Sequence, residues 1–166
     1  MERMETNSRG GTLNLPLRDG AWEGQACFVI GGGPSLKTFD WSLLREVPNV
    51  IVINRALIDV PTASVWFSED LRVIELLYKR PDWQAFRGVK VLHTHSPLER
   101  DRAASLDPSL VIIERKRPDK YWSNSFADGL SMSSNSMIGA LNIADIMGAA
   151  SIYILGLDCN PTGGKQ

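Results

Sequence analysis

The residues best able to do chemistry stand where apolar runs stop abruptly. Cys27–Ile30 leads straight into Gly31, Gly32, Gly33, Pro34, Ser35 and Leu36. Proline after glycine suits the first turn of a helix, where its missing N–H costs nothing. A strand, a glycine turn and a helix start leave backbone N–H groups facing an incoming phosphate or carboxylate. Gly31, Gly32, Gly33, Pro34 and Ser35 are therefore candidate nucleotide contacts; the alternative is a tight turn that binds nothing. Asn54 and Arg55 close the next apolar run, and an amide there presents one acceptor and two donors, or simply caps the strand. Ser131, Ser133, Ser134, Asn135 and Ser136 crowd into six positions ahead of a strong helical pattern. Capping uses one of them. A hydroxyl-rich helix N-terminus also makes a second anion- or sugar-binding face.

Four further groups carry weaker signals. Ser68, Glu69 and Asp70 end another apolar run. Their carboxylates suit Mg²⁺ or a ribose hydroxyl, but Ser68 capping a helix with the acids at its positive end is the simpler expectation. Asp158 ends the last run and serves a ligand or a turn. His93 and His95 lie two apart, without a third ligand at metal-binding spacing, and read as solvated or hydrogen-bonded. Cys27 and Cys159 lack the spacing of a zinc knuckle or a disulfide framework and read as reduced thiols in or near a core. That places the chain, weakly, in the cytoplasm.

These groups need a frame of strands and helices. Apolar runs bounded by turn residues predict strands at Ala26–Gly31, Asn49–Asn54, Ala63–Phe67, Val89–His93, Leu110–Glu114 and Ser151–Leu157. Helical spacing predicts helices over Pro34–Glu46, Glu69–Tyr78 and Asn135–Met147, the last stopped by Gly148. In the first of these, Leu36, Phe39, Leu43 and Leu44 would share a face. Arg115–Ser131 reads as a long loop. Buried strands alternating with amphipathic helices predict an α/β fold, an open, mostly parallel twisted sheet with helices on both faces, Rossmann-like. Residues 1–20 read as a flexible arm, with Leu13, Leu15 and Leu17 spaced for an added edge strand. Residues 21–166 form a single domain. Ligands of such sheets sit beyond the carboxyl ends of the strands. A chain ending at Asp158–Gln166, just past a strand, is therefore expected to be a C-terminally truncated fragment.

The net charge of −1 argues against a nucleic-acid binder relying on bulk electrostatics. No apolar run approaches the roughly 20 residues that span a bilayer, and the N-terminus has no secretion-type apolar segment. Two familiar phosphate motifs fail. The dinucleotide fingerprint needs glycine where Leu36 stands and an acid where Asn54 stands. A Walker loop would need its second glycine at Leu36, ahead of Lys37 and Thr38.

Taken together, Gly31–Leu36 with Asp40-Trp41 downstream, then Val52-Ile53-Asn54-Arg55-Ala56, then Ser134-Asn135-Ser136 before an alanine-rich helix, then Ile152–Asp158, resemble a known pattern. The pattern is that of a bacteriophage and bacterial Rossmann-like family, related to family-42 glycosyltransferases (bacterial sialyltransferases) and to archaeal-type 6-hydroxymethylpterin diphosphokinases. It covers most of residues 25–160. The sialyltransferase resemblance implies a CMP-sugar donor and no metal cofactor. Gly31–Ser35 would cradle phosphate or ribose, Asn54 would touch the donor, and Ser133–Ser136 would line the nucleotide. It also implies a general-base histidine beyond the last strand, which would fall past Gln166 and leave this chain donor-binding but catalytically incomplete. The diphosphokinase resemblance implies ATP and Mg²⁺, with Asp70 and Asp158 as metal carboxylates. A third expectation is a non-catalytic phage or bacterial accessory domain.

Overall fold

A computed structural model describes residues 17–114, 122–131 and 135–158. The predicted arm up to Pro16, Ser133, Ser134 and Cys159 lie outside them. Six strands form one sheet: β1 (Ala26–Ile30), β2 (Val50–Ile53), β3 (Val65–Ser68), β4 (Val89–His93), β5 (Val111–Ile113) and β6 (Ser151–Leu155). Every pairing is parallel, in the order β5-β4-β3-β2-β1-β6. Val50, Ile51, Val52 and Ile53 of β2 are all buried because both faces of this central strand are covered. That is why it reads as an unbroken apolar run. Four helices accompany the sheet: α1 (Leu71–Leu77), α2 (Pro81–Ala85), α3 (Pro97–Leu106) and α4 (Ser136–Ile146).

Alternate residues on each strand feed two cores. Val29, Ile51, Ile53, Phe67 and Val91 pack with Met137, Ala140 and Ile143 of α4. Ile30, Val52, Trp66 and Leu92 pack on the opposite face with Ile74 and Leu77 of α1 and Trp83 of α2. Trp66 and Trp83 meet edge to face, their centroids 4.7 Å apart, a favoured aromatic geometry. Burial pushes the Cys27 thiol up to about 12, so it stays protonated and inert at neutral pH. Among the described residues, no helix is long and apolar enough to cross a membrane.

Three expectations need correction. The helix predicted over Pro34–Glu46 is two short 3₁₀ turns, Pro34–Thr38 and Trp41–Leu44. Phe39 and Asp40 between them are extended, and the Asp40 carboxylate accepts the Ser42 N–H to start the second turn. Leu44 is buried but Leu43 is 67% exposed, so the proposed apolar face does not form. Second, α1 is capped by Asp70, which accepts the Arg72 N–H, and not by Ser68. Third, α2 and α3 occupy segments without a predicted helix. In α3, Ser96 accepts the Glu99 N–H, half of a capping-box arrangement.

One polar junction fastens α2, β4 and the end of α3. The Asp107 carboxylate accepts from Trp83 Nε1 at 2.7 Å, Lys90 Nζ at 2.9 Å and Ser109 N–H at 2.9 Å. Burial alone would raise its pKa, but hydrogen bonds from Ser109, Lys90 and Trp83 outweigh that and hold it at about 2. The folded chain therefore binds this proton less readily than the unfolded one. The resulting stability is complete above the ordinary carboxylate range and fades as pH falls from about 4 towards 2. After discounting for partial exposure it amounts to about 1–2 kcal/mol. Urea unfolding at pH 6 and pH 3 should show a smaller acid loss in Asp107→Asn than in the parent chain. Equal losses would mean that this junction does not titrate as described.

Candidate functional site

The order β2-β1-β6 makes β1 the point where the chain reverses its direction of growth across the sheet. Open α/β sheets bind ligands outside the carboxyl ends of the strands at such a point. A cavity of about 830 Å³ lies there, reached by Gly31 and Gly32 after β1, Asn54 after β2, Glu69 after β3 and His93 at the end of β4. The starts of α3 and α4 also line it, through Ser96, Glu99, Asn135 and Ser136.

The glycine turn is packed first against its own fold. Gly31 N–H donates to Leu155 O at 2.8 Å, and Gly33 N–H to Gly156 O at 3.0 Å. Ser35 N–H donates to Asp158 Oδ2 at 2.7 Å, and the Ser35 hydroxyl donates to Oδ1. These bonds hold the Asp158 carboxyl below its usual range. Asp158 thus takes up, from within the chain, part of the donor set expected for a ligand anion. A Cβ on Gly31 would come within 2.7 Å of Gly156 O, and one on Gly33 within 2.5 Å of the same atom. Gly32 differs. A Cβ there meets nothing within 4 Å, and its N–H makes no hydrogen bond among the described residues. Pro34 borders a smaller cavity of about 340 Å³ on the turn's far side.

Asn54 is held in an unusual conformation. Its φ is 54°, the only positive value among described residues other than glycine, and asparagine tolerates this region better than most residues. Two buried groups fix it. Trp66 Nε1 donates to Asn54 O at 2.7 Å. The Ser68 hydroxyl accepts the Asp70 N–H at 3.0 Å and gives its proton to Asn54 Oδ1 at 2.8 Å. With Oδ1 used, the NH₂ end of the amide makes no hydrogen bond among the described residues. Strain of this kind, held by surrounding structure, concentrates at binding sites.

The start of α4 is held as firmly. Asn135 Oδ1 accepts the Met137 N–H at 2.9 Å and is the cap. Buried Asn142, about two turns further along, accepts Ser131 N–H at 2.8 Å and donates to Ser123 O at 2.7 Å. That pins the preceding segment to the helix. Ser136 Oγ faces Glu69 N–H at 3.4 Å. Gly139, inside α4, leaves room for Phe67 and Glu69, since a Cβ would lie 2.5 Å from the Phe67 ring and 2.9 Å from Glu69 Oε1.

Charge is distributed unevenly about Gly32 and Asn54. The large cavity carries Glu69, Asp70 and Glu99 and no lysine or arginine among its described lining. Arg55 and Asp59 together line an adjoining cavity of about 460 Å³ that shares Gly32, Ile53 and Asn54 with it. Lys37 lines the smaller space beyond the glycine turn, again with Asp59. On the acidic side, His93 is buried and its Nδ1 lies 3.1 Å from Glu69 Oε1. The His95 ring meets it edge-on at 4.9 Å. Asp70 is the cap of α1 and Asp158 is bound to Ser35, so the two carboxylates expected to share a metal have separate structural partners. Among the described residues no three His, Cys, Asp or Glu side chains are grouped to hold a metal ion. Comparison with family models, curated proteins and solved structures gave no match.

The structure gathers Gly31, Gly32, Asn54, Asn135 and Ser136 around one cavity. It sets Arg55 beside it, and turns Gly33, Ser35 and Asp158 towards one another. Sequence reasoning missed Ser68 as the partner of Asn54 and Glu69 as the partner of His93. Neither pairing follows from local spacing. Both follow from register: Ile53 is level with Phe67, which sets Asn54 beside Ser68, and Ser68 is level with Leu92, which sets Glu69 beside His93.

Proposed function

We propose that this cavity binds a nucleotide-sugar donor, of the CMP-sugar class, in a glycosyltransferase-like domain. The observation that carries the reading is the contrast about Gly32 and Asn54, at the carboxyl ends of the strands, between a cavity lined by acids and an adjoining one in which Arg55 stands with Asp59. A nucleotide sugar is itself divided, anionic at the phosphate and hydroxyl-rich at the sugar. The phosphate suits the Gly32 N–H, the Asn54 amide and the Arg55 guanidinium. Sugar hydroxyls suit carboxylates and imidazoles, which accept their hydrogen bonds. A volume of about 830 Å³ lies within the range of small-molecule sites. Helix N-termini and fixed donors stabilise a departing phosphate without a metal.

A second reading has one observation in its favour. Glu69, Asp70 and Glu99 share the cavity, and Mg²⁺ binds through one or two carboxylates together with substrate phosphates. That is the diphosphokinase-like alternative, with ATP.

A thermal-shift titration with CMP, CDP, UMP and ATP, each in EDTA and in Mg²⁺, separates them. Binding at about 100 times the dissociation constant adds roughly 2.7 kcal/mol to stability. Stabilisation by CMP in EDTA is the expected result. A shift seen only with ATP and Mg²⁺ would replace the first reading by the second, and silence throughout would favour a non-catalytic domain.

A further inference from the structure

The buried histidine at the end of β4 has a use that the donor site leaves open. His93 is 3% exposed. Its Nδ1 is engaged by Glu69 Oε1 at 3.1 Å, while its Nε2 is buried and has no hydrogen-bond partner among the described residues. A buried polar atom without a partner is costly and calls for an explanation. Neighbouring pairs are already matched: Thr94 Oγ1 donates to Glu99 Oε2 at 2.6 Å, and Ser96 serves as the cap of α3. The carboxylate favours the proton on Nδ1, which leaves Nε2 as a bare acceptor. An acid that orients the imidazole of a cavity-lining residue, with the far nitrogen left unpartnered, is the arrangement of a general base and its positioning group.

We infer that His93, oriented by Glu69, is the catalytic base that takes the proton of an attacking hydroxyl in this cavity. The inference rests on the nucleotide-sugar reading. In the step, the hydroxyl proton passes to His93 Nε2 as the oxygen forms its bond to the anomeric carbon. The bond from that carbon to the phosphate oxygen breaks, and its electron pair leaves with the nucleotide. Either an acceptor sugar or water supplies the hydroxyl. Glu69 is the positioning residue: it fixes the tautomer and steadies the imidazolium that forms. Gly139 is part of the same arrangement, since a side chain there would meet Glu69 Oε1.

Two measurements on the full chain test this. Imidazole ¹⁵N NMR of the ligand-free protein should find His93 protonated at Nδ1 and bare at Nε2. The opposite tautomer would overturn the inference whatever the ligand. The second follows release of CMP from CMP-N-acetylneuraminate, with water as acceptor, alongside CMP binding by calorimetry. His93→Asn keeps a donor for Glu69 but lacks Nε2. It should bind CMP as the parent does while release falls about 100-fold or more, the usual size of a general-base contribution. Glu69→Gln should lower release about tenfold and restore mixed tautomers in the NMR spectrum. Parental CMP binding with no release, or with equal release in His93→Asn, would overturn the base and leave the donor site standing. Absence of CMP binding in the parent would overturn the donor reading, and this step with it.

Discussion

Gly156→Ala should destabilise the fold by about 3 kcal/mol, combining left-handed strain with overpacking. Gly156 has φ +69°, and a Cβ there would fall 2.4 Å from Leu36 Cδ1 and 3.1 Å from Gly33 N. The leucine tip can give way, but the backbone of the glycine turn cannot without losing the Gly33 N–H bond to Gly156 O. Gly33→Ala isolates the steric part. Its φ of −66° is ordinary, yet the Cβ would meet Gly156 O at 2.5 Å and the Asp158 carboxyl at 2.7 Å. It should cost about 2 kcal/mol. Gly32→Ala, with open space around it, should stay within about 0.5 kcal/mol. Urea unfolding of the three variants checks the order. Equal costs at Gly32 and Gly33 would mean that the turn is not packed against the β6 end as described.

That series also divides the glycine turn by purpose. Gly31 and Gly33 admit a neighbouring backbone, whereas Gly32 alone faces a cavity without crowding. In the sequence the three residues are indistinguishable, because what separates them is the return of β6 beside β1, more than 120 residues later. The strands were legible for the opposite reason. Val91–His93 and Val50–Ile53 are covered on both faces, so burial leaves its mark on consecutive residues. Helix α3 left almost no such mark: Ala103 is its buried residue and Leu98 is 84% exposed. Its start was still written in Ser96, Pro97 and Glu99, a cap, a first-turn proline and a capping-box acid. Pro34–Glu46 misled because its leucines keep helical spacing while Asp40 captures the Ser42 N–H and restarts the chain. The site followed the same division. Asn54 stood out at a strand end, but its hold on Ser68 and Trp66 and the pairing of Glu69 with His93 are cross-strand facts.

Asn54→Asp should weaken CMP binding about 100-fold while leaving the fold nearly intact. The aspartate retains an oxygen to accept the Ser68 hydroxyl proton and a carbonyl for Trp66 Nε1. Aspartate also tolerates the left-handed backbone that Asn54 adopts at φ 54°. What changes is the other end of the side chain, where an NH₂ donor becomes an anionic oxygen. Losing a hydrogen bond to a charged ligand costs about 1.5–3 kcal/mol. The added negative charge faces Glu69 and Asp70 in the same cavity and repels a phosphate further, so a total near 3 kcal/mol, about 100-fold, is expected. Asn54→Gly separates the amide from the backbone, since glycine adopts the same φ without strain but leaves the buried Ser68 hydroxyl only its longer bond to Asp70 O at 3.3 Å. It should lose about 1–2 kcal/mol of stability and bind CMP less weakly than the aspartate does. Calorimetric titration of both variants, with unfolding curves beside it, reads the two effects apart. Parental affinity in Asn54→Asp would remove the amide from the binding site and leave its strained backbone as a feature of the strand end alone.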